Sequence, residues 1–435
     1  MVRGIPVVAL FAAAAILPAA PPAAAGDETR SSAHYLWNIH GDCPEAPELM
    51  KVAEAAWGQF SAYFGARPGG KLEIEYFEKS SDYSSILTGK GADAEGAGGV
   101  PAQGRYWYEN KKVYQPRMQR PWETRQWLIV NLANQFMALG VLGKGKNPPS
   151  WYSAGIAFHF SLHRWDGKTL VTGVDDDPSA VGRSITQFAA DAKEGKWDPM
   201  DAVNGDSKTY VEGWAAVHFL LSGADKGATA RFKALERKMW EGMEARESAT
   251  LLLGADPKKI RKSARDWILS LPRPWTPVLD VWERTSEDSF IAEPYNKGQD
   301  AILLREADPG PAPFLEATLT PAEKGEGGLL FGFTESVGGL VVAWSPGSKI
   351  ELLRKTGPER GAVLASADGP PGAEAKLRVE VAGTTVKVLL AGKEALSWTA
   401  AEGEAPGAGR VGLLCNGGKV RFSGVRASEA KPAKK

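Results

Sequence analysis

The chain has 435 residues, with 52 Lys+Arg against 52 Asp+Glu; this balance gives no electrostatic reason to expect nucleic acid or an anionic membrane as partner. Apolar residues at 43% and charged residues at 24% exclude a wholly disordered or collagen-like chain, and the length exceeds the roughly 250 residues that one core organises. Two cysteines and five histidines exclude a disulfide-dense scaffold, a four-thiolate zinc site and a histidine-rich metal centre.

Residues 1–25 read as a signal peptide. Arg3 is a short basic region, 5–20 are apolar, and Ala23-Ala24-Ala25 before Gly26 is a small-residue cleavage site. Cys43 lies too far downstream to be the lipidated cysteine of a lipoprotein. No later apolar run approaches the ~20 residues that span a bilayer. The expected product is periplasmic or secreted, with no transmembrane segment after cleavage. Export permits a disulfide between Cys43 and Cys415, which would pin two domains together if their Cα atoms came within ~7 Å; pairing and non-pairing both stay open.

Helical spacing follows in 48–64, with Leu49, Val52, Ala53, Ala56, Trp57 and Phe60 on one side. Leu72–Phe77 is a short strand pattern. Residues 122–139, 151–163, 209–222 and 228–246 read as helices. The composition changes near 285. Only Trp344 and Trp398 of the 15 tryptophans fall after it, and Pro272, Pro274 and Pro277 stand just before it. Beyond lie short alternating runs broken by glycine, among them 376–381, 385–390, 409–415 and 419–422, the pattern of a β-sandwich. The domains are therefore placed at 27–285 and 286–428, with a basic tail at 429–435.

Several segments of the first region resemble the peptidase-MA-like, gluzincin-type domains of bacterial secreted proteins. They are His34-Tyr35-Leu36-Trp37, Phe64-Gly65-Ala66-Arg67-Pro68 with strand 71–77, Thr124 to Phe136, Pro149 to Ala157, and Tyr210 to Leu220. The resemblance implies an α+β, zincin-like fold. Active relatives carry His-Glu-x-x-His on a helix, and a glutamate on a later helix as the third zinc ligand. Two histidines four apart share a helix face and hold the metal, and the glutamate activates its water. Aligned on Gln135-Phe136, the histidine positions are Val130 and Asn134, the general-base position is Asn131 and the third-ligand position is Ala154. A shift of one residue gives Asn131 and Gln135. Valine and alanine cannot ligate, and neutral Asn is no general base. The resemblance implies a pseudo-peptidase with no metal and no other cofactor.

Other combinations carry less. His159 and His163 lack a glutamate between them, and at about 100° per residue they lie about 140° and about 180° from Ala154. Gly140 to Asn147 nearly matches a phosphate loop but ends in Asn and runs into Pro148-Pro149. Asp175-Asp176-Asp177 lacks the spaced oxygens of a calcium loop. Lys258 to Lys262 is the exposed side of a helix. Glu212, near Tyr210, is a single acidic residue, weak evidence for acid–base work.

Residues from about 288 to 427 resemble laminin-G-like, concanavalin-type jelly rolls, the family that includes 3-keto-disaccharide hydrolase-like sandwiches. Gly327 to Phe333, strands 376–390 and Gly409 to Val425 carry the likeness. Trp344 and Trp398 either stack on sugar rings or fill the sandwich core. The expected whole is an α+β zincin-like domain joined to an all-β jelly roll, an exported non-catalytic protein binding a polysaccharide or envelope component. A glycan hydrolase acting through the sandwich, and a spacer without ligand, are the alternatives.

Overall fold

A computed structural model describes residues 27–89, 103–142, 146–174, 180–204, 210–224, 226–254, 256–271, 275–279, 282–294, 299–305, 313–322, 325–334, 338–357, 360–402, 406 and 409–428. The expected signal peptide, Asp175–Asp177, part of the 140–147 run and the tail at 429–435 lie outside them.

The first half opens with β1 (Glu28–Ser31), β2 (Tyr35–His40), α1 (Ala46–Phe64), β3 (Leu72–Phe77), α2 (Ser80–Gly89), β4 (Arg105–Trp107) and β5 (Lys112–Pro116). These strands form one sheet in the order β1-β2-β3-β5-β4. β2, β3 and β5 run parallel, and β4 closes the edge antiparallel to β5. Period-2 alternation sorts the faces. Trp37, Ile74 and Tyr76 are buried against α1, whereas Asn38, His40 and Lys112 converge on Glu75 on the other face at 3.2, 2.9 and 2.8 Å. α1 ends at Gly65, whose φ of 64° and N–H bond to Ser61 O form a left-handed cap.

The helical layer contains α3 (Pro121–Phe136), α4 (Ser150–Ser161), the hairpin β6 (His163–Trp165) and β7 (Leu170–Thr172), then α5 (Ala180–Lys193), α6 (Tyr210–His218), α7 (Lys226–Trp240), α8 (Ala245–Leu253) and α9 (Pro257–Ser270). Gln135 fastens α3 to the sheet by donating to Glu73 O at 3.0 Å and Lys111 O at 2.9 Å. α4 and α6 touch backbone to backbone: a Cβ on Gly155 would stand 2.3 Å from Gly213 O. Among the described residues no helix is long and apolar enough to cross a membrane.

The second half is all antiparallel strand: β8 (Trp275–Leu279), β9 (Trp282–Ser286), β10 (Ser289–Ala292), β11 (Asp300–Arg305), β12 (Phe314–Pro321), β13 (Glu326–Thr334), β14 (Gly338–Trp344), β15 (Ile350–Lys355), β16 (Ala362–Ala367), β17 (Ala375–Ala382), β18 (Thr385–Leu390), β19 (Lys393–Thr399), β20 (Arg410–Asn416) and β21 (Val420–Ala427). Two seven-stranded sheets, β19-β18-β17-β12-β21-β10-β9 and β16-β15-β14-β13-β20-β11-β8, enclose Trp282, Leu303, Phe331, Leu352, Leu377 and Phe422 as a jelly-roll sandwich.

One expected boundary is corrected here, and one open alternative is decided. The sandwich begins at Trp275 rather than 286, because β8 pairs with β11 and β9 with β10, and Trp282 lies fully inside. The prolines at the joint do not prevent this, since both strands stand at sheet edges where a missing N–H is tolerated. Cys43 and Cys415 form no disulfide with each other: one is buried in each domain, and Cys415 is part of the sandwich core.

Candidate functional site

The residues singled out from the peptidase pattern do not share one environment. Val130 is 1% exposed and belongs to the apolar core. Asn131, Asn134 and Ala154, by contrast, line one cavity of about 500 Å³ between α3, α4 and the edge strand β4. The α3 wall is Trp127, Asn131 and Asn134, spaced i, i+4, i+7 on one helix face. Val130 is not among the described lining residues, so only three of the four positions meet in the cavity. In the alternative frame Gln135 is equally unavailable, because its amide holds the sheet.

The α4 wall is Ser150, Ser153 and Ala154, spaced i, i+3, i+4. The third wall is β4 and its flanks, from Gln103 to Tyr106 together with Tyr108. Gly104 makes the join possible. Its φ is +82°, and a Cβ there would stand 2.7 Å from Tyr114 O and 3.1 Å from Asn131 Nδ2. Asn131 can therefore donate to Gln115 Oε1 at 3.0 Å.

Uncharged groups dominate the lining. Arg105 is the charged residue among the described lining residues, and its guanidinium carbon lies 4.8 Å from the Trp107 ring centroid. Tyr106 is 5% exposed, and its ring meets Tyr108 edge-on at 4.7 Å. Burial, and then Tyr108, push its hydroxyl up to about 12, so it stays a proton donor at neutral pH. Neither the Tyr106 hydroxyl nor the Asn134 amide bonds to another described residue. Such a lining offers hydrogen bonds and ring faces. Among its described residues it offers no carboxylate, imidazole or thiolate to ligate a metal or take a proton, and no group of three or more His, Cys, Asp or Glu side chains placed to hold a metal ion occurs among the described residues.

The remaining candidates lie apart. His159 turns to His218, their Nδ1 atoms 2.9 Å apart, and His163 donates to Ser161 O at 2.7 Å. Burial lowers these imidazoles to about 4, about 3 and about 3, so all are neutral. Glu212 on α6 is not among the cavity residues. Trp344 is 1% exposed inside the sandwich, which corrects its reading as a sugar platform. Trp398 is partly buried against the same core. The wall residues Tyr106, Tyr108, Trp127, Ser150 and Ser153 went unnoticed in the sequence, where the i, i+4, i+7 spacing of Trp127, Asn131 and Asn134 was the available signal.

No family model and no curated protein matches the sequence. Solved structures do match. The carbohydrate-binding module CBM66 from Bacillus subtilis covers 36% of this chain and 96% of its own at 18% identity and TM-score 0.31. A tetrameric galectin from the sponge Cinachyrella sp. covers 29% of this chain and 99% of its own at 17% identity and TM-score 0.25. The PL7 alginate lyase AlyA1 from Zobellia galactanivorans covers 34% of this chain and 80% of its own at 13% identity and TM-score 0.25. These likenesses concern the jelly roll, and the gluzincin likeness of the first half finds no support among them.

Proposed function

We propose that this chain is an exported binding protein acting on glycan at the cell envelope or outside the cell, its first domain a peptidase-like scaffold that holds a ligand without hydrolysing peptide. One observation carries the reading: Asn131, Asn134 and Ala154 meet in a cavity whose described lining is mostly amide, hydroxyl and aromatic, with one guanidinium from Arg105 and no carboxylate. Hydrolysis of a peptide by zinc needs ligands and a base where these side chains stand. Amides and hydroxyls there serve recognition instead.

The test is made on purified full-length protein. Elemental analysis is expected to find no stoichiometric zinc, peptide libraries to stay intact, and a panel of bacterial and plant polysaccharides to yield a bound partner. About one tightly held zinc per chain with chelator-sensitive proteolysis would overturn the reading. Export is checked by N-terminal sequencing of the mature protein, expected to begin near Gly26.

A second reading, a glycan hydrolase acting through the sandwich, is favoured by one group of side chains. Burial, with Glu351 and Asp300 nearby, raises the Glu326 carboxyl. Arg360 bonds Glu326 at 3.2 Å and also Glu351, and Lys355 pairs with Asp300 at 2.8 Å. Glycoside hydrolysis uses carboxyls whose environments push them apart, and Glu326, held above its usual range beside Glu351 and Asp300, is the candidate acid of such a set. Reducing-end release from the same panel, abolished by Glu326→Gln, would establish that reading. Intact polysaccharides would remove it.

A further inference from the structure

We propose that the cavity between α3, α4 and β4 is a subsite for an uncharged saccharide, with Tyr106 and Asn134 as hydrogen-bonding partners and Trp127 and Tyr108 as ring-stacking walls. This rests on the glycan-binding reading and assigns that binding to the first domain instead of the sandwich.

Charge comes first. A bound ion needs a counter-charge in a desolvated site. The charged residue among the described lining residues is Arg105, whose guanidinium already lies over Trp107. A cationic peptide is therefore poorly matched, and an acidic sugar would have Arg105 alone as counter-charge, which the uronide comparators below test.

Hydrogen-bonding character comes second. A sugar hydroxyl both donates and accepts. Asn, Ser and Tyr side chains do the same, whereas Lys, Arg and carboxylates do only one. Tyr106 and Asn134 reach the cavity with no bond to a described residue. Leaving such groups unpaired once a ligand excludes water costs about 1–3 kcal/mol each. The occupant must therefore carry its own hydroxyls or amides at those points.

The apolar surface comes third. Ala154 is the aliphatic side chain among the described lining residues; the rest of that surface is aromatic ring, from Trp127, Tyr106 and Tyr108. Flat π-faces suit the C–H face of a pyranose better than a branched aliphatic chain. The volume of about 500 Å³ falls within the range of about 300–1,000 Å³ typical of small-molecule sites. In the sandwich, Trp344 is enclosed and offers no such face.

The experiment titrates the full chain by calorimetry with neutral gluco-, xylo- and chito-oligosaccharides, with oligogalacturonides as charged comparators and an uncharged peptide as a third class. Wild-type protein should bind a neutral oligosaccharide. Tyr106→Phe keeps the ring and removes only the hydroxyl. Together with Asn134→Ala, it should weaken binding up to about tenfold for each bond lost. Near-UV circular dichroism checks that both variants stay folded. Equal binding by wild type and both variants overturns the site while leaving the glycan reading intact. So does loss of binding on Trp398→Ala alone, which would move the site to the sandwich. Preference for the uronides or the peptide overturns the ligand class. No binding to any oligosaccharide or polysaccharide removes the proposal and the glycan reading together.

Discussion

Arg125 of α3 donates to Glu283 of β9, an ion pair between residues 158 apart in sequence that joins the helical layer to the sandwich. The Arg125 side chain is 5% exposed and that of Glu283 is 15% exposed. Arg125 also reaches Glu48 at 3.4 Å, and Glu48 accepts from Trp165 Nε1 at 3.0 Å. These residues line a crevice of about 430 Å³ with Lys419 and Arg421 of the sandwich. The joint is thus built from desolvated charge, which is directional and unforgiving of a missing partner.

Glu283→Ala is expected to cost about 3 kcal/mol of stability, because it leaves Arg125 buried with only the longer bond to Glu48. Denaturant unfolding measures the loss, and calorimetry should show the two domains beginning to melt separately. An unchanged single transition would show that the pair does not hold them together.

A fragment spanning 275–428 should fold, and one spanning 288–428 should not. The shorter piece drops β8 from one sheet and β9 from the other, and removes Trp282, whose ring lies 5.4 Å from Phe422. Losing a buried tryptophan alone costs about 3–5 kcal/mol. Circular dichroism and urea titration of both fragments decide the matter.

Two glycine replacements should act in opposite directions. Gly155→Ala drives a methyl to 2.3 Å from Gly213 O, so α4 and α6 must separate, at a cost of about 1–3 kcal/mol or more. Gly58→Ala, in α1 with open space around it, should add about 0.5–1 kcal/mol by restricting the unfolded chain. Thermal midpoints of the two variants should bracket that of the parent.

Stability should fall as the pH drops from about 6.5 toward about 4. His159, His163 and His218 are lowered by burial to about 4, about 3 and about 3, against about 6.5 when unfolded. Between those values the unfolded chain binds protons that the folded chain refuses. The stabilisation is complete above the unfolded pKa and is lost on acidification, by up to about 1.4 kcal/mol per pH unit for each histidine. His218→Asn should flatten the slope between pH 4.5 and 6.5 in denaturant titrations. A slope identical to that of the parent would mean that the pair takes up protons while folded.

Local periodicity determined a good part of this protein. Apolar residues at helical spacing from Leu49 to Phe60 form the buried side of α1, and alternation in 376–381 and 385–390 forms β17 and β18. Both patterns arise from backbone geometry within a few residues, so sequence contains them. That Asn131, Asn134 and Ala154 carry no imidazole, thiolate or carboxylate was legible from their identities alone. Three features were decided only by tertiary structure. In Leu340 to Trp344 every residue is apolar, so the strand has no polar face to show that Trp344 points inward. Pro277 reads as a linker residue, yet β8 is a strand because β11 supplies its partner. The cavity draws one wall from 103–108, another from 127–134 and a third from 150–154. Each wall is unremarkable alone. They meet because Gln135 seats α3 on the sheet and Gly104 lets β4 approach Asn131, contacts between distant segments that no local pattern encodes.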